Sequence, residues 1–210
     1  MPITPMFPLE VAMLPGQELP LRIFEPRYSA LVADCLAAED PAFGVVLIAA
    51  GREVGGGDTR SDVGALAHIT ECADFGDGRY RLKCVMAERI RVLEWHPDNP
   101  YPQAAVEPWP DEPGEAVGAD AIRDVEDRIV ALFERIAEAR GAMLPGRADL
   151  LATDMPDLGQ RLYALASRVP MGQADRYAVL AAPSPATRLE ALREAVDTVT
   201  AMVEFQLSDG

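Results

Sequence analysis

Lysine is almost missing from this chain: Lys83 is the only one, and His68 and His96 are the only histidines among 210 residues. Each shortage excludes a class of chemistry. A P-loop ends in Gly-Lys-Ser/Thr so that backbone amides and the lysine together hold phosphates. Lys83 follows Leu82 in a β-rich run with no glycine loop before it, so Gly55-Gly56-Gly57 reads as a hairpin turn. A serine–lysine dyad would have to join Lys83 to Ser29, Ser61, Ser167, Ser184 or Ser208, and none of these lies in a Gly-x-Ser-x-Gly elbow. Neither histidine has a metal-ligand spacing, and His68 reads as a surface or hydrogen-bonded strand residue. A buried carboxylate pair needs no motif, but nothing selects one, and Glu126-Asp127 and Asp111-Glu112 read as solvated surface. The expectation is a chain without catalytic residues, metal or cofactor, not an enzyme.

Cysteine is also scarce. Cys35, Cys72 and Cys84 are odd in number, lie among apolar neighbours and never fall into Cys-x-x-Cys, so they read as core thiols of a cytoplasmic protein. No apolar run nears the roughly 20 residues of a membrane span, and Met1 to Pro5 lacks the basic start and apolar stretch of a secretory signal. Basic charge is short as well: the net charge is −15. Nucleic acid is gripped chiefly through its phosphates, so a chain this acidic needs a local basic patch to hold it. The strongest candidate, Arg79, Arg81 and Lys83, alternates along a strand and reads as a solvated face.

What is present has the balance of a globular protein, 49% hydrophobic and 25% charged. Strands are expected at Leu19 to Phe24, Phe43 to Ala49, Val63 to Cys72, Tyr80 to Met86 and Ile90 to Trp95. Gly76-Asp77-Gly78 marks a hairpin loop. One helix starts at Pro26, with Tyr28, Leu31, Val32, Cys35 and Leu36 on one face. Prolines and glycines from Pro108 to Gly118 interrupt regular structure. The organisation expected is a β-barrel-like domain over 1–109, a linker over 110–118 and a helical bundle over 119–210. In the bundle, Ile122, Val125, Ile129, Leu132, Phe133 and Ile136 stripe a first helix, and Leu158, Leu162, Leu165 and Val169 a second. A short helix is expected near Ala174 to Ala181. Ser184-Pro185 then opens a long one striped by Leu189, Leu192, Val196, Val199, Val203 and Leu207.

Phe7-Pro8-Leu9, Leu14-Pro15-Gly16 and the run from Leu19 to Tyr28, which contains Leu21-Arg22-Ile23-Phe24-Glu25-Pro26-Arg27-Tyr28, resemble the N-terminal domain of Lon proteases. The likeness continues through Phe43-Gly44-Val45, Val63-Gly64, Arg89-Ile90-Arg91-Val92 and Pro100-Tyr101. It departs at Met86, where many relatives carry glycine, and at Ala65, where threonine often follows Val-Gly. The resemblance implies an α+β fold: a PUA-like β pseudo-barrel with one helix, followed by a C-terminal helical bundle. It also implies a non-catalytic module for recognising substrate, with unfolded protein or peptide segments and a separate protease component as partners.

Arg22, Glu25, Arg27 and Tyr28 bring two guanidinium forks, a carboxylate and a ring to one strand-to-helix transition. These are the candidate peptide contacts, in a groove between barrel and bundle. Read as structure alone, the arginines pair with acids or cap carbonyls while Phe24 and Tyr28 fill the core. Two rivals to peptide binding stand: RNA binding, from analogy with PUA-like barrels and against the charge, and an enzyme using cleft carboxylates, for which no residue speaks.

Overall fold

The computed structural model describes residues 3–50, 59–151 and 155–208. The Gly55-Gly56-Gly57 turn lies outside them. By its internal contacts the chain divides into two compact units, Met1–Pro110 and Asp111–Gly210.

The first unit is a six-stranded sheet with one helix: β1 (Ile3–Leu9), β2 (Glu18–Ile23), α1 (Pro26–Ala37), β3 (Ala42–Ala50), β4 (Thr59–Asp74), β5 (Tyr80–His96) and β6 (Gln103–Pro108). The strand order is β2-β5-β4-β3-β1-β6, and a further β5–β6 pairing closes the sheet on itself. β1 runs parallel to β3, and the other pairings are antiparallel. Closure works because β5 is long enough to serve two partners, β2 through Tyr80–Val85 and β6 through Ile90–His96.

The expected break between Tyr80–Met86 and Ile90–Trp95 is a bulge within one strand rather than a gap. Between the pairs Ala65↔Arg89 and Ala67↔Met86, β5 carries one residue more than β4. A strand's side chains alternate faces, so one extra residue reverses the parity beyond it. Leu82, Cys84 and Met86 accordingly join a core containing Phe7, Tyr28, Leu31 and Phe43, whereas Ile90 and Val92 join a second cluster with Met6, Val46 and Ala104. The β3 run Phe43 to Ile48 is continuously apolar because Val45 faces the first cluster and Val46 the second.

Cys35 and Cys84 are buried as expected, and burial pushes each thiol up to about 12. Cys72 corrects the expectation. It lies where β4 passes beyond the core, and it is exposed.

The second unit holds α2 (Ala119–Arg140), α3 (Arg147–Leu151), α4 (Leu158–Arg168), α5 (Gln173–Ala181) and α6 (Pro185–Ser208). The local stops and starts follow the sequence. Gly141 ends α2 in the left-handed region at φ 60°, and the Asp157 side chain accepts from the Gln160 N–H at 2.7 Å to cap α4. Ser184 accepts from the Thr187 N–H at 3.3 Å at the start of α6, with Pro185 in the first helical position. α6 packs against α2, α4 and α5, and Leu189, Leu192, Val196 and Val199 are buried. The stripe fades toward the C-terminus of α6, where Phe205 and Leu207 are exposed.

Of the two pairs read as solvated surface, Asp111, Glu112 and Asp127 are exposed and Glu126 is buried, and both Glu126 and Asp111 meet arginines inside this unit. Glu126 is 6% exposed and pairs with Arg161, with Arg147 Nη2 3.8 Å from its other oxygen. Asp111 receives Arg188, whose side chain is 0% exposed, through an Nη1–Oδ2 bond of 3.0 Å and a second from Nη2. Sequence spacing hides both pairs because the partners are 35 and 77 positions apart. The segment after Pro110 therefore packs within the helical unit, and the Glu112 N–H also donates to the Pro183 carbonyl at 2.9 Å.

Candidate functional site

A cleft of about 460 Å³ opens on the first unit, lined by Arg22, Ile23 and Phe24 from the end of β2 and by Phe75, Arg79, Tyr80 and Arg81 from the β4–β5 hairpin. The hairpin tip gives it shape. Gly76, Asp77 and Gly78 have φ of 77°, 53° and 70°, a left-handed run that two glycines make accessible. The Asp74 side chain accepts from the Gly76 N–H at 2.7 Å, and the Phe75 N–H donates to the Arg79 carbonyl at 2.9 Å. The Ser29 hydroxyl bonds the Gly78 carbonyl, which ties the loop to α1. Phe75 and Arg79 are thereby held beside Arg22 and Phe24.

Parity does the rest. Leu19 and Ile23 of β2 point into the core, so Glu18, Pro20 and Arg22 face outward, and Phe24 just beyond the strand continues that face. Phe24 is 66% exposed and Phe75 55%. Arg22 and Arg81 are direct cross-strand partners in the antiparallel β2–β5 pair. The Arg81 guanidinium carbon also lies 5.3 Å from the centre of the Phe75 ring. Among the described residues, none of Arg22, Arg79 and Arg81 has an ion-pair partner. The cleft therefore offers apolar rings beside uncompensated positive charge, which suits an amphipathic, negatively charged guest.

No group of three or more His, Cys, Asp or Glu side chains among the described residues could hold a metal ion. Lys83 Nζ sits 2.8 Å from Glu71 Oε2, and that partner raises its pKa, opposite to the lowering a general-base lysine needs. His68 Nδ1 is 3.0 Å from Asp40 Oδ1, as a hydrogen-bonded strand histidine would be.

The model of the ATP-dependent protease La (LON) substrate-binding domain family matches residues 3–198. The chain belongs to that family. No curated protein matches this chain. Its fold is similar to a Lon N-terminal domain protein from Xanthomonas campestris, with TM-score 0.62 and 24% identity over 92% of this chain and 98% of that one. It is also similar to the N-terminal domain of a Mycobacterium avium complex Lon protease, with TM-score 0.59 and 16% identity over 93% and 98%. The α+β fold with a C-terminal helical part is shared with both.

Of the four residues singled out in the sequence, this LON substrate-binding domain brings only Arg22 to the cleft lining. Glu25 and Arg27 meet each other, Nε to Oε2 at 3.1 Å, at the start of α1. The Arg27 guanidinium covers one side of Tyr28 at 4.4 Å from the ring centre. Tyr28 itself is buried and stacks on Phe7, ring centres 4.1 Å apart. Tyr28, a candidate peptide contact, thus fills the core, whereas Phe24, which the structural reading placed in the core beside it, faces solvent. Phe75, Tyr80 and the cleft role of Arg79 and Arg81 were missed. The available signal was an aromatic beside Gly-Asp-Gly at a hairpin tip, where no strand neighbour can cover it.

Proposed function

We propose that this member of the LON substrate-binding domain family captures unfolded or extended polypeptide segments, with the cleft around Phe24 and Phe75 as its grip. It does so in the cytoplasm, in service of a separate protease component, and without chemistry of its own. The observation that carries the reading is the pair of largely exposed phenylalanines on the rim of one cleft. Rings of this size are usually buried, and placing two together in solvent costs free energy that a bound apolar side chain recovers. The family supports the same reading, since its matched model is that of a substrate-binding domain.

The experiment is binding of a fluorescently labelled, permanently unfolded protein to the full chain and to the Phe24→Ser/Phe75→Ser variant. Covering two half-open rings is worth about 2 kcal/mol, or about 30-fold in affinity. Loss of that order in a variant that keeps its melting temperature supports the cleft. Equal binding by both proteins, or none by either, refutes it.

A further inference from the structure

We infer that the cleft selects segments in which an acidic side chain stands beside a large apolar one, and that Arg22 and Arg81 read the carboxylate together. The inference rests on the cleft being the peptide site and adds the chemical class of segment it takes. Its starting point is the β2–β5 register. Arg22 and Arg81 face each other directly across an antiparallel pair, where side chains stand about 5 Å apart and like charges repel. Arg79 lines the same cleft.

Elsewhere in this chain arginines have found carboxylates: Arg60 with Asp98, Arg128 with Asp124 and Asp197, Arg147 with Asp127, and Arg193 with Asp124. With 34 acidic residues against 19 basic ones, leaving three neighbouring arginines without such a partner among the described residues is the exception. An anion placed between Arg22 and Arg81 replaces repulsion with two charge-assisted hydrogen bonds. Arg81 already presents a face to Phe75. A guanidinium stacked on a ring keeps its N–H edge free for a carboxylate. One guest residue therefore meets the arginines while its apolar neighbour meets Phe24 and Phe75.

A nucleic-acid strand would also supply anions and rings. It carries a charge at every nucleotide, however, and would lie against a protein of net charge −15 with a small cationic cleft to hold it. A carboxylate or two on a peptide suits three arginines better.

The test uses labelled peptides with blocked termini, one carrying Asp-Phe-Leu-Glu in a Gly/Ser frame and one carrying Asn-Phe-Leu-Gln, measured by anisotropy with the full chain. The acidic peptide should bind about tenfold tighter, with the advantage shrinking between about 50 and about 300 mM salt. Arg22→Gln and Arg81→Gln should each erase about threefold of it and leave the amide peptide unaffected. Arg22→Gln should also keep or raise the melting temperature, because it removes a repulsive neighbour; a purely structural arginine would lower it. Equal binding of the two peptides overturns the acidic preference while the peptide-binding reading stands. Binding of neither sinks both. A short oligouridylate that displaces the acidic peptide at lower concentration than the unlabelled peptide itself overturns the inference in favour of a nucleic-acid site.

Discussion

Removing the Asp111 carboxylate leaves a guanidinium stranded in the helical unit, and the consequence can be sized from the structure. Arg188 is fully buried, its Nε has no hydrogen-bond partner among the described residues, and its two Nη atoms bond Asp111. The Tyr163 ring, 4.0 Å from the guanidinium carbon, offers a π face but no negative charge. Breaking a buried pair from one side costs about 3–5 kcal/mol. Asp111 is itself 31% exposed at its side chain, so water can enter where the carboxylate was, and we expect about 2–4 kcal/mol for Asp111→Ala. With a urea slope near 1.5 kcal/mol per molar, the midpoint of the helical transition should fall by about 2 M. The assay is urea titration followed by far-ultraviolet circular dichroism, where the helical unit dominates. Asp111→Ala/Arg188→Met should recover much of the loss, because an apolar side chain of similar volume needs no counter-charge. A shift below about 0.5 M for Asp111→Ala, or a double variant weaker than both single ones, would refute the reasoning. Gly159→Ala gives an independent check. A methyl there would meet Asp111 Oδ2 at 2.4 Å and Arg188 Nη1 at 2.9 Å, so a change that ordinarily stabilises a helix by about 1 kcal/mol should destabilise this one.

Gly64→Ala should unfold the barrel unit: its Cβ would stand 2.1 Å from the Val45 carbonyl oxygen, and backbone in a paired strand cannot step aside as a flexible side chain can, so soluble expression and thermal melting should both fail. In the native protein, a thiol reagent at mildly alkaline pH should modify Cys72 and spare Cys35 and Cys84, with all three reacting in denaturant. Cys35 and Cys84 also set an alkaline limit. Both stay protonated to about 12 in the fold against 9.0 when exposed, so above pH 9 the unfolded chain releases protons that the native state keeps. Stability is intact below that point and falls as pH rises toward 12, by at most about 1.4 kcal/mol per unit for each thiol; Cys35→Ala/Cys84→Ala should flatten the decline, and an unchanged slope would refute the assignment.

The sequence by itself determined the features that depend on near neighbours. Pro26 and the spacing of Tyr28, Leu31, Val32 and Cys35 specified α1, and Ser184-Pro185 with the stripe through Val199 specified α6, because capping and helical periodicity act over a few residues. The family resemblance was legible along most of the chain and most specific over residues 7–28, and the lone lysine excluded a P-loop within these 210 residues. Only the tertiary structure decided which outward residues meet. One extra residue in β5 reversed the parity beyond Met86, the alternation of β2 turned Phe24 outward while Tyr28 went in, and strand register set Arg22 against Arg81, 59 positions apart. The Asp111–Arg188 pair lies 77 positions apart. Pairing of that kind is fixed by how sheets register and helices pack, and no local window of sequence contains both partners.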